Sequence, residues 1–200
     1  MPRAFTHDER VEFRGMLRDA ARRSIARYGL RRTRVADLAA DAGLSKGAFY
    51  IFYDSKEDLF LEVFALTEQE VRQELIAVAK EEDLPPRERV YNLLSLLFQS
   101  LERHPELLVL SQPDEARILW RAMPAGERES QREDDERFYE SLFQTWVDQG
   151  VIEELDPVVL AGLPLLVSAV ASERDSIGPD RFNALTGLLL EALADRLVSA

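Results

Sequence analysis

Thr33 to Leu59, TRVADLAADAGLSKGAFYIFYDSKEDL, constrains the fold more than any other part of the 200-residue chain. Val35, Leu38 and Ala39 recur at helical spacing, Gly43 interrupts, and Phe49, Phe52 and Tyr53 resume an apolar face. Ala39 offers the small side chain that a close helix crossing needs. Gly43 supplies the positive φ that a tight turn demands, at little steric cost. Thr33 and Ser55 stand where a side-chain oxygen can cap a helix start, and Ser55 has Asp58 three residues on. The pattern predicts two short helices across a tight turn, with a further helix after them. The second, about Ser45 to Phe52, has the place of a helix that enters a DNA major groove.

These residues resemble the TetR family of bacterial transcriptional regulators. Thr33, Leu38, Ala39, Ala42, Gly43, Leu44, Ser45, Gly47, Phe49, Tyr50, Ser55, Lys56 and Leu59 fall in register with the family pattern. Tyr53 takes an aromatic position usually held by Phe. Phe52 stands where many members carry a His that reaches a phosphate. The specific match covers roughly the first quarter of the chain, and beyond it the likeness is architectural. It implies an all-α fold: a three-helix head with a helix-turn-helix over residues 1–56, then a helical effector-binding and dimerisation domain over 57–200.

A net charge of −12 looks wrong for a DNA binder until it is divided along the chain. Residues 1–56 hold 12 Lys and Arg against 7 Asp and Glu, a balance of +5, and the remainder holds 13 against 30, a balance of −17. Arg22, Arg23, Arg27, Arg31, Arg32 and Arg34 follow one another between Asp19 and Asp37 with no acid among them. Phosphate attraction depends on the field within about 8–10 Å at physiological salt, not on total charge. The run alone is compatible with a solvated helix face; beside a helix-turn-helix it reads as a phosphate-facing surface.

The absence of cysteine removes disulfides and thiolate chemistry. His7 and His104 are far apart and fit no metal-ligand spacing, so neither a metal nor a cofactor is expected. No apolar run of signal-peptide type opens the chain, which predicts a cytoplasmic protein.

Helical patterns follow at Asp8 to Tyr28, with Gly29 as its C-terminal stop, at Lys56 toward Lys80, and at Arg87 to Glu102. Residues 112–132 are the least readable part, because Pro113, Pro124 and Gly126 cut them into short pieces, and GERESQREDDER reads as a charged, exposed helix start. Phe138, Tyr139, Leu142, Phe143, Trp146 and Val147 then mark an inward face closed by Gly150. Pro157 to Ser172 carries no charge, yet its length, Gly162 and Pro164 argue against a membrane span. Such a helix is expected to be covered on every side, by its own core and a second subunit. Asp180 to Val198 closes the chain.

Within the resemblance, Thr33, Arg34, Tyr50 and Lys56 are expected to hold phosphates, and Ser45, Lys46, Gly47 and Ala48 to meet the groove. Lys46 can donate to guanine or to a phosphate, and the Ala48 methyl can touch a thymine methyl. Phe98, Trp120, Phe138, Leu142 and Trp146 are candidates to line an effector pocket, each also readable as ordinary core. Leu166, Val170, Leu185, Leu188 and Leu189 are candidates for a dimer seam. The leading expectation is a homodimeric repressor that leaves a palindromic DNA operator when a small apolar effector binds. The other is an all-α carrier or enzyme using the same C-terminal cavity. Isolated histidines and the lack of any nucleophile–base spacing weigh against catalysis, so no enzymatic residue is named.

Overall fold

The computed structural model describes residues 5–154 and 156–198. Regular structure among them is entirely helical: α1 His7–Arg32, α2 Val35–Asp41, α3 Lys46–Phe49, α4 Lys56–Ala79, α5 Pro86–Arg103, α6 Glu106–Val109, α7 Pro113–Ala122, α8 Ala125–Asp148, α9 Pro157–Ser172, α10 Arg174–Ile177 and α11 Pro179–Leu197. One isolated antiparallel bridge joins Ile152 and Val198. No helix among the described residues is long and apolar enough to cross a membrane.

Helix boundaries follow local chemistry. Thr6 and Glu9 form a reciprocal capping box that starts α1. Ser55 and Asp58 do the same before α4: the Ser55 N–H donates to Asp58 at 2.9 Å and the Asp58 N–H to Ser55 Oγ at 3.1 Å. Pro86, Pro113, Pro157 and Pro179 each occupy a first turn, where the missing N–H costs nothing. Gly29 breaks α1 at φ 75°, as expected of a stop, and a short extra turn follows it.

The chain groups into two compact units. One is Met1–Glu68 with Pro105–Pro124; the other is Gln69–His104 with Ala125–Ala200. The sequence pattern divides at residue 56, whereas this grouping carries the first unit into α4 and adds α6 and α7 to it.

Leu17, Ala20, Ala21, Ile25 and Leu30 of α1 bury against Leu38, Ala39, Phe49, Leu59, Phe60 and Val63 in the first unit. Met16 and Tyr28 of α1, though apolar, are exposed. Val109 of α6 and Leu119 of α7 close the same core.

In the second unit α5 packs on α9 and α11, and α8 on α9. Val90, Leu93, Leu94, Leu97 and Leu101 form the buried stripe of α5, and Leu142, Phe143 and Trp146 the buried part of α8. GERESQREDDER opens α8 as the charged, exposed helix start expected of it, and α8 is one 24-residue helix through it, its exposed charges paired at i,i+3 and i,i+4, as in Arg132 with Glu129 and Glu136. Gly162 and Pro164 do not interrupt α9, which runs unbroken across both.

Nor is α9 covered on all sides within one chain. Leu163, Val167 and Ala171 are buried, while Val158, Val159, Leu165 and Leu166 are exposed. In α11, Phe182, Thr186, Leu190 and Ala194 face inward at i,i+4 spacing, and Leu185 and Leu188 face out. Val170 and Leu189 are half-buried.

Candidate nucleic-acid interface

The turn between α2 and α3 is a Schellman closure. Leu44 N–H donates to Ala39 O at 2.7 Å and Gly43 N–H to Ala40 O at 3.0 Å, with Gly43 at φ 70°. A Cβ at Gly43 would meet nothing within 4 Å, so conformation and not space selects glycine there. Ser45 then caps α3, its Oγ accepting the Ala48 N–H at 3.1 Å. Turn hydrogen bonds continue the helix direction through Phe52 and Tyr53.

Phe49 is fully buried and anchors this element, while Ser45, Lys46, Gly47 and Tyr50 are exposed and Ala48 is half-buried. Tyr50 keeps 49% of its surface open, and its ring meets Phe49 edge-on at 5.4 Å. The structure thus brings an ammonium, two hydroxyls and a bare glycine backbone onto one short, outward helix. Those are groups that donate to phosphates and base edges.

Two residues singled out in the sequence, Thr33 and Lys56, are held by contacts within the head. Thr33 is buried; its hydroxyl donates back to Gly29 O at 2.7 Å and lies 3.0 Å from Ser24 Oγ. It neither caps α2 nor lies open to a duplex, and Arg34, which is exposed, holds the N-cap position. Lys56 Nζ donates to Leu30 O and Thr33 O, both at 2.9 Å, and stands over the Phe60 ring. Two of its three protons therefore tie α4 to the turn after α1.

Phe52 joins Phe5 and Phe13 in an aromatic cluster, with ring centroids 5.4 Å and 6.2 Å away. Tyr53, one residue on, is buried, and its hydroxyl accepts from Arg14 Nε at 3.4 Å. Burial raises the Tyr53 pKa while the Arg14 hydrogen bond opposes that rise. Arg14 and Arg18 both pair with Glu62, fastening α1 to α4.

The arginine run behaves unevenly. Arg23, Arg27, Arg31, Arg32 and Arg34 are exposed. Arg22 turns inward to Glu106, 3.8 Å away, and Glu106 is buried and accepts from Thr67 at 3.2 Å.

In the second unit, Phe98 meets Phe182 at 6.3 Å, and Phe138 meets Tyr139 at 5.1 Å beneath the Arg72 guanidinium. Leu142 and Trp146 are buried. Trp120 belongs to α7 in the first unit and is 55% exposed. Arg89, which sequence reading passed over, is buried and donates to Ala79 O and Gln149 Oε1. Its place on the apolar stripe of α5, four residues before Leu93, was the available signal.

Residues 17–63 match the family model described as bacterial regulatory proteins, tetR family. An uncharacterized HTH-type transcriptional regulator of Bacillus subtilis, YhgD, is 25% identical over 76% of this chain and 78% of its own length. A second from the same organism, YerO, is 32% identical over 44% of this chain and 31% of its own. Among solved structures, the fatty acid degradation regulator FadR from Bacillus halodurans superposes with a TM-score of 0.70 at 17% identity, covering 96% of both chains. The ketosteroid transcriptional regulator KstR2 of Mycobacterium tuberculosis gives 0.67 at 22% identity, over 94% of this chain and 95% of that one. At these identities both show a shared fold.

Proposed function

The chain belongs to the tetR family of bacterial regulatory proteins, and from that premise we propose that it is a cytoplasmic, homodimeric repressor that releases a palindromic operator when a small apolar molecule binds. Residues 1–56 carry the DNA contacts in this reading, and residues 57–200 the effector and dimer functions. The observation that carries it is the corner Ser45–Lys46–Gly47 with Tyr50: polar, exposed, and fixed on the buried Phe49.

One head offers one recognition helix, so two copies are needed to reach half-sites about 34–36 Å apart. The exposed apolar residues of α9 and α11, among them Leu165, Leu166, Leu185 and Leu188, supply a self-complementary seam. Each leucine moved out of water there contributes about 1.5–3 kcal/mol.

Phe98, Phe138, Leu142 and Trp146 are the side chains we assign to the neighbourhood of the effector. The neighbours FadR and KstR2 are described as regulators of fatty acid degradation and of ketosteroids, and both chemistries are apolar. An effector need disfavour the DNA-bound state by only about 1–3 kcal/mol to lower affinity 5–150-fold.

Selection of duplexes from a random-sequence library tests the DNA-binding core of the proposal. It should enrich an inverted repeat with half-sites one helical turn apart. Enrichment of nothing, or of a single half-site bound by a monomer, overturns it. Transcription from a promoter carrying the enriched sequence should rise when the protein is deleted, and a fall would make it an activator.

A further inference from the structure

Both backbone polar groups of Leu30 are held by side chains of opposite charge from two other helices. Its N–H donates to Glu115 Oε2 at 2.7 Å, and its C=O accepts from Lys56 Nζ at 2.9 Å. The same carboxylate oxygen receives the Arg31 N–H at 3.0 Å, and the same ammonium reaches Thr33 O at 2.9 Å.

The reason such a clamp is needed lies in Gly29. Its φ of 75° and ψ of 174° break the α1 hydrogen-bond ladder, so the N–H groups that follow lose their helical acceptors. The Glu115 carboxylate supplies the missing acceptor to both N–H groups, part-buried at Leu30 and exposed at Arg31, with charge-assisted bonds. The approach is close: a Cβ at Gly29 would lie 3.0 to 3.1 Å from three atoms of the Glu115 carboxyl group. The sequence has left no side chain where the carboxylate must sit.

This turn is the last structure before the helix-turn-helix. It passes through Thr33 to Arg34, the N-cap of α2. Lys56 lies within the residues that match the tetR-family model, but Glu115, on α7, lies outside them. We propose that Glu115 is a positioning residue for DNA binding: its carboxylate sets the turn from Gly29 to Thr33, and through it the start of α2 and the placement of Arg34. The inference rests on the DNA-binding reading given above. Glu115 touches no nucleic acid in it and adds no attraction for phosphate.

The experiment compares the full-length wild type with Glu115→Ala and Glu115→Gln. Each is titrated with the duplex that the wild type enriches from a random-sequence library, at several salt concentrations. Backbone amide exchange is followed in parallel. Glu115→Ala should weaken binding about tenfold, the loss expected for removing charge-assisted hydrogen bonds. The slope of log K against log salt should not change, because no phosphate contact is lost. Exchange should accelerate at Leu30 and Arg31 while the α2 and α4 amides keep their protection. Glu115→Gln should recover most of the affinity, since its amide oxygen accepts the same N–H groups.

Wild-type affinity in Glu115→Ala overturns the proposal, and so does loss of amide protection across the whole head, which marks plain unfolding. A wild type that enriches no duplex overturns the DNA-binding reading itself, whereas enrichment together with an indifferent Glu115→Ala removes the positioning role alone.

Discussion

Trp146 Nε1 donates to the carbonyl oxygen of Ala79 at 3.0 Å, and Ala79 is the last residue of α4. Carbonyls at a helix C-terminus lack intrahelical donors, and this one is answered twice, because Arg89 Nη2 reaches the same oxygen at 3.0 Å. The Arg89 guanidinium also stands 5.6 Å from the Trp146 ring centroid. Trp146→Phe keeps an aromatic ring and loses one donor, so its cost in urea denaturation should be modest, about 1–3 kcal/mol including the smaller ring. Trp146→Phe with Arg89→Met leaves the oxygen without either donor. The double variant should therefore lose more than the sum of the two singles, by about 0.5–3 kcal/mol. Additive losses would show that the two donors act independently.

Lys46 and Lys56 should part company on DNA. Lys46 is exposed at the start of α3, and Lys46→Ala should relax preference at one base step of each half-site by about 1–3 kcal/mol if it reads a base. Lys56 spends its protons on Leu30 and Thr33. Lys56→Met should lower the melting temperature of the head and leave the salt slope of DNA binding unchanged. A slope smaller by about one unit would return Lys56 to the phosphate backbone.

Leu188 is the sharper probe of the dimer seam, at 66% exposed against a half-buried Leu189. Leu188→Glu places a charge on the outer face of α11 without disturbing the inward stripe. Sedimentation should report monomers with wild-type helical signal and poor affinity for an inverted repeat. A dimer that persists in Leu188→Glu combined with Leu166→Glu would move the interface elsewhere.

Glu74 gives an acid-side prediction. The Arg103 guanidinium hydrogen-bonds both of its oxygens and holds the carboxyl below its ordinary pKa, with burial opposing and His104 adding a smaller lowering. A carboxyl lowered on folding contributes stability above its unfolded value, and that contribution is lost as pH falls through the folded value. The pair is largely exposed, so the effect is small. Thermal melts of wild type and Glu74→Gln should differ by a constant amount near neutrality and converge below about pH 4. A gap that widens on acidification would contradict the pairing.

What could be read from the sequence was what neighbours along the chain decide. Gly43, Ser45 and the Ser55–Asp58 pair act within four residues of themselves, and each appears where the pattern puts it. Thr33 and Lys56 carried the right residue types, but their partners lie on other elements. Nothing in TRV or SKED shows that the Thr33 hydroxyl turns back to Gly29 or that the Lys56 ammonium spans to Leu30. Trp120 makes the same point. Aromatic character says that a ring prefers burial, whereas Trp120 lies on the exposed side of α7. The charges from Glu127 to Arg137 marked an exposed helix start but not its continuity with the apolar half of α8, because a solvent-facing helix held by i,i+4 ion pairs shows no apolar period.

Proline at the head of α5, α7, α9 and α11 has a mechanical consequence. A helix that begins on proline lengthens backwards only against resistance, because the ring crowds the preceding turn and offers no N–H to the carbonyl four residues earlier; α9 tolerates one such site within it, at Pro164. The residue before each proline is also held away from helical backbone angles. Growth of a further turn is therefore disfavoured at these four leading ends. In a rearrangement such helices move most readily as struts of nearly fixed length, swinging or sliding whole. A ligand would then be sensed as displacement more than as growth of helix at those four joints.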